Sequence, residues 1–92
     1  MQKVLDGISK NNFVVLGRAG MDIFPDPPGT RTEDAETLKV GLGGSSANIA
    51  VGIIKLGGQA SLVTSVSDDS IGKYCLNQLE SYGVNCSFVR AV

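Results

Sequence analysis

The spacing of apolar and polar positions changes several times along this chain, and each change marks an element. Phe13-Val14-Val15-Leu16 is an unbroken apolar run closed by Gly17, the pattern of a strand buried in a parallel sheet. Met21-Asp22-Ile23-Phe24 reads as a second extended piece, and Thr37-Leu38-Lys39-Val40-Gly41-Leu42 as a returning strand with period-two alternation. Between them, Pro25-Asp26-Pro27-Pro28-Gly29 and the polar stretch to Glu36 predict an exposed loop. From Ala47 to Leu56 the residues are apolar nearly all the way round, and Gly57-Gly58 stands where helices stop. That predicts a buried helix, opening at Gly43-Gly44 with Ser45 and Ser46 placed to cap it.

Ala60 to Val66 reads as a strand of small and β-branched residues. In the next segment Ile71, Tyr74, Cys75, Leu79 and Tyr82 recur at spacings of three and four, one stripe of a helix over 70–82. Asp68-Asp69 caps that helix and Gly83 ends it; Ser87 to Val92 reads as a last strand. Val4, Leu5 and Ile8 suggest a short helical turn within a lead-in over residues 1–12.

Strand, flap, helix, strand, helix, strand predicts an α/β fold with a parallel sheet and right-handed crossovers. On this reading residues 13–92 are the N-terminal part of a larger parallel-sheet domain, with a small β lid insertion over about 21–42. Stopping on a strand leaves the sheet unfinished and an edge exposed, which predicts self-association into a homo-oligomer.

Composition narrows the function. With 92 residues and a net charge of -1, the chain has no electrostatic footprint for nucleic acid. No apolar run approaches the roughly 20 residues a membrane span needs, and Met1 to Asn12 lacks a signal-peptide core, so a cytoplasmic location is expected. Cys75 and Cys86 are then reduced thiols, and the lack of histidine removes His-based triads and His/Cys zinc clusters.

The candidate chemistry lies at the start of the first long helix. Its free N–H groups and positive dipole end make a polar pocket, and Gly43-Gly44 lets a ligand approach the backbone. Asp22 follows the carboxyl end of the first strand, where open α/β sheets bind ligands; the alternative is a plain turn residue. Gly72-Lys73 is followed by Tyr74 inside a helix, so there is no P-loop, and Gly17-x-x-Gly20 is too short for the dinucleotide fingerprint. Asp68-Asp69 is a helix cap rather than a metal site.

In order, Gly17 with Asp22 five residues on, Gly43-Gly44-x-x-x-Asn48-x-Ala50, Gly57, and Asp68-Asp69-x-x-Gly72 resemble the N-terminal third of the PfkB (ribokinase-like) carbohydrate kinases. Two positions depart from that pattern: Ser46 stands for Gly, Ala or Pro, and Ser67 for Gly. The resemblance implies that Asp22, Gly43, Gly44 and Asn48 bind a small-molecule sugar or sugar acid and that the flap is a lid. Arg18 and Gly20 stand at the sugar end, where Arg18 either recognises an acidic or keto sugar or lines the lid hinge. In the family, ATP and Mg²⁺ bind in the C-terminal half, and the catalytic Asp lies in a Gly-Ala-Gly-Asp segment absent from this sequence. The implied activity is ATP-dependent phosphorylation of a sugar hydroxyl by a longer parent, with no catalytic residue here and no turnover by this fragment alone. The competing readings are a non-catalytic sugar- or nucleotide-binding half-domain and an unrelated half that holds a phosphate at the helix start.

Overall fold

The computed structural model describes residues 12–92. It contains β1 (Asn12–Leu16), β2 (Gly20–Asp26), a 3₁₀ turn (Thr32–Asp34), β3 (Thr37–Gly43), α1 (Ser45–Lys55), β4 (Gln59–Val66), α2 (Ser70–Ser81) and β5 (Val89–Ala91). The helical turn expected around Val4 to Ile8 lies outside the described residues.

Two sheets result. β4 is the centre of a three-stranded parallel sheet, with β1 on one side from Asn12 opposite Gln59 to Leu16 opposite Val63, and β5 on the other. β2 and β3 form a separate antiparallel ribbon in which Asp22 faces Gly41 and Phe24 faces Lys39. The core lies where Ala47, Ala50 and Val51 of α1 meet Ala60 and Leu62 of β4, closed by Leu79 of α2 and by Val84. Alanines on the inner face of α1 let it approach the sheet closely, and α2 lies against β4 and the ribbon.

Both helices end as their glycines predict. Gly57 and Gly83 each take a φ of 92°, and the next residue donates back into the last turn: Gly58 N–H to Ile53 C=O at 2.9 Å, Val84 N–H to Leu79 C=O at 3.1 Å. Asp69 caps α2 as expected, accepting from the Gly72 N–H at 3.0 Å and from the Ser67 hydroxyl at 2.6 Å.

Several expectations need correction. β1 pairs in parallel, but it is not buried: Val15 packs on the core while Val14 and Leu16 are 63% and 71% exposed. Helix α1 is also covered on one side only, with Ile49 half exposed and Leu56 open to solvent. An apolar run reports a surface that favours burial; it does not supply the layer that covers it. Pro25 was expected to break the chain but continues β2, opposite Leu38; a two-stranded ribbon consists of edges, where a missing N–H is tolerated. The cap of α1 is Gly44, with φ 94° and no side-chain bond, rather than either serine. The last strand begins only at Val89, because Asn85 first bridges to Ser61 and a turn follows at Cys86.

Candidate functional site

Three contacts fix where β1, the ribbon and α1 converge. The Ser46 hydroxyl donates to the Leu16 carbonyl at 3.0 Å, tying the helix start to the end of β1. The Ala47 N–H donates to the Arg18 carbonyl at 3.2 Å, so the connection leading into β2 takes one of the helix's free donors. Gly44 lies against Arg18 and Ala19 so tightly that a β-carbon there would stand 2.5 Å from the Arg18 carbonyl oxygen. Its positive φ and this closeness both require glycine.

A cleft of about 370 Å³ opens at that junction, lined by Arg18, Ala19, Gly20, Met21, Asp22, Gly44 and Ser45. The Asp22 carboxylate lies directly over Gly43, in the space a side chain there would fill. Gly43 is thus the buried floor beneath the carboxylate. The N–H groups of Ser45 and Ser46, in the first turn, have no intrahelical acceptor. The cleft therefore combines an acceptor, Asp22, with backbone donors and the positive end of a helix dipole, and Arg18 is among the residues that line it.

Of the six residues that sequence reasoning singled out, Arg18, Gly20, Asp22 and Gly44 line one cleft and Gly43 underlies it. Asn48 is not in the lining; it lies exposed one turn along α1, its N–H bonded to the Gly44 carbonyl at 3.0 Å. Ser45 lines the cleft and was read only as a cap. Phe24 was read only as part of an extended piece, yet its ring lies over Gly41, beside Asp22 on the same ribbon face.

Chemically, a carboxylate and backbone N–H groups around a small polar cleft can bind vicinal hydroxyls, the carboxylate accepting and the amides donating. Among the described residues no group of three or more His, Cys, Asp or Glu is placed to hold a metal. The sequence has neither a P-loop nor a Gly-Ala-Gly-Asp segment, so these residues do not fit a nucleoside triphosphate with its metal.

The parallel sheet, the antiparallel ribbon set over the start of α1 and the carboxylate on a glycine floor between them are those of part of a carbohydrate-kinase domain. Residues 10–92 match the pfkB family of carbohydrate kinases, and the chain belongs to that family. Among its relatives is the 5-dehydro-2-deoxygluconokinase of Photobacterium profundum, 40% identical over 72 residues that cover 78% of this chain and 22% of that protein. A PfkB family carbohydrate kinase from Listeria grayi superposes with a TM-score of 0.81 at 29% identity, over 87% of this chain and 25% of that one. A sugar kinase from Pyrococcus horikoshii, solved in complex with ATP, gives 0.78 at 25% identity, over 87% of this chain and 26% of its own. The fold is thus ribokinase-like, and the chain spans about a quarter of the length of the curated relatives it matches. Among the described residues no helix is long and apolar enough to cross a membrane.

Proposed function

We propose that this chain is the sugar-binding and lid portion of a cytoplasmic kinase that transfers the γ-phosphate of ATP, with Mg²⁺, to a hydroxyl of a sugar acid such as 5-dehydro-2-deoxygluconate. The observation that carries the reading is the Asp22 carboxylate seated on Gly43 beside the α1 N-terminus. Asp22 accepts hydrogen bonds from sugar hydroxyls, Gly43 and Gly44 let the ring lie against the main chain, and Asn48 adds an amide from the next turn. Arg18 and Gly20 line the hinge from which the ribbon closes. Closure excludes water from the reacting hydroxyl. This choice of substrate is supported by the relatives named 5-dehydro-2-deoxygluconokinase, together with the runs Gly17-Arg18-Ala19 and Gly43-Gly44-Ser45-Ser46-Ala47-Asn48. ATP as donor is supported by family membership and by the ATP complex of the Pyrococcus horikoshii kinase. Ile23, Leu38 and Val40, each about half exposed on the ribbon's other face, support self-association.

The test is ATP turnover by the native polypeptide isolated from its source cells, assayed with 5-dehydro-2-deoxygluconate, 2-dehydro-3-deoxygluconate, fructose and ribose. Preference for the first substrate is expected. Absence of turnover with every sugar favours the non-catalytic half-domain.

A further inference from the structure

Antiparallel pairing sorts the ribbon's side chains by face, because residues directly opposite one another project to the same side. The pairs Gly20–Gly43, Asp22–Gly41, Phe24–Lys39 and Asp26–Thr37 therefore share the face that carries the sugar-binding carboxylate. Along it, two side chains of β2 lean toward helix α1 across glycines of β3: Asp22 over Gly43, and the Phe24 ring over Gly41, with ring carbon Cε2 where a β-carbon on Gly41 would lie 3.4 Å away. The carboxylate and the half-exposed ring are thus neighbours on a floor without side chains.

Beyond the ring lies a second hollow of about 450 Å³, bounded by Phe24, Pro25, Asp26, Pro28, Gly29 and Lys39. Phe24 lines it and is the next residue after Asp22 on that face of β2. At its margin the Lys39 ammonium stands 3.7 Å from the Asp26 carboxylate, and the lysine side chain is 68% exposed. A pair that long and that open to water is weak and readily exchanged for a better-placed anion.

We propose that Phe24 and Lys39 are the specificity-determining pair for the acid end of the substrate. This rests on the sugar-site reading above. The Asp22 side holds the hydroxyls, the Phe24 ring lies against the C–H face of the carbon chain, and Lys39 leaves Asp26 to meet the substrate carboxylate. Gly43, beneath the Asp22 carboxylate, and Lys39 are four residues apart on β3, about 13 Å, and an extended six-carbon acid with a hydrogen bond at each end spans about that distance, so both ends are engaged at once. Asp26 is the resting partner of Lys39 and a competitor of the bound acid.

The test is titration of the whole chain, followed by NMR, with 5-dehydro-2-deoxygluconate and with neutral 2-deoxyglucose. The unaltered chain is expected to bind the acid more tightly. Lys39→Gln should weaken acid binding about tenfold, the loss of one charge-assisted contact, and leave the neutral sugar unchanged; Lys39→Arg should restore it. Asp26→Asn should tighten acid binding severalfold, a gain that a merely structural ion pair does not produce. Phe24→Ala should weaken both ligands. Equal affinity of Lys39→Gln and the unaltered chain for the acid overturns the proposal, as does loss of acid preference in Arg18→Gln but not in Lys39→Gln. Asp22→Asn separates the two layers. If it leaves both sugars bound, the sugar-site reading itself fails; if it abolishes both while Lys39→Gln changes neither, only the proposal fails. Absence of binding by the unaltered chain overturns both.

Discussion

The Asp22 carboxylate occupies the volume that a β-carbon on Gly43 would need. Gly43→Ala should therefore displace the carboxylate while sparing the fold, because Asp22 is exposed and free to swing outward. Stability should change by less than about 1 kcal/mol, and sugar affinity should fall more than tenfold. Urea unfolding and sugar titration check the two halves separately; undiminished affinity means the sugar does not use Asp22 in this position.

Gly72 offers the opposite case. Alanine is favoured over glycine inside a helix by about 1 kcal/mol, yet a β-carbon here runs into the backbone carbonyl of Ser67. Backbone cannot rotate aside as a side-chain tip can. We expect Gly72→Ala to destabilise by a net 1–3 kcal/mol or so, with the loss traced to the Ser67–Asp69 turn by amide exchange. A stabilised variant would show that this turn yields easily.

Ser46 is nearly buried and donates to the Leu16 carbonyl. Ser46→Ala removes that tie between β1 and α1 at a cost of about 1 kcal/mol. Because the tie also fixes the cleft's back wall, binding should weaken together with the urea midpoint. Ser46→Thr, which keeps the hydroxyl, should retain more of the affinity.

The pH dependence follows from Asp69. Hydrogen bonds from the Ser67 hydroxyl and then from the Gly72 N–H hold its carboxyl below the ordinary value of 3.8. The folded chain thus holds that proton less tightly than the unfolded one, so the stabilisation is complete above about pH 4 and is lost as pH falls through the folded value. Asp69→Asn should flatten the acid limb of a stability profile taken below pH 4. A limb of unchanged slope assigns the acid sensitivity to other carboxylates.

At alkaline pH the buried Cys75 contributes, as does Cys86, whose thiol is also pushed up by burial. Burial pushes the Cys75 thiol above the ordinary 9.0, so the folded state retains the proton longer. The associated stability is present below pH 9 and is lost as pH rises through the folded value. Cys75→Ala should give a shallower alkaline decline despite a lower plateau, measured by thermal melts between pH 8 and 11.

Much of this architecture follows from local patterns. The change from unbroken apolar runs to period two and then to spacings of three and four places all five strands and both helices, and the Asp69 cap and the glycine stops set boundaries within a residue or two. What local pattern does not carry is partnership. Nothing near Val14 or Leu16 states that one face of β1 stays open. Ser46 has the right chemistry for a cap, but its hydroxyl is taken by β1, thirty residues away. Asp22 could be read as a turn residue because its meeting with Gly43 depends on the register of β2 against β3. Phe24 and Lys39 escaped attention for the same reason, since each is ordinary in a strand until the other is placed opposite.

That register also orders assembly in time. The ribbon closes through one short connection, residues 27–36, whereas β1 reaches β4 only after the ribbon and the whole of α1 have been traversed. Nearby pairings lose less chain entropy on closing and form sooner. In pulsed amide-exchange refolding, β2 and β3 are expected to gain protection before the parallel sheet does. The carboxylate then comes to rest on its glycine floor before β1 and the start of α1 arrive to complete the cleft, so half of the recognition surface is older, in the life of each molecule, than the domain that carries it.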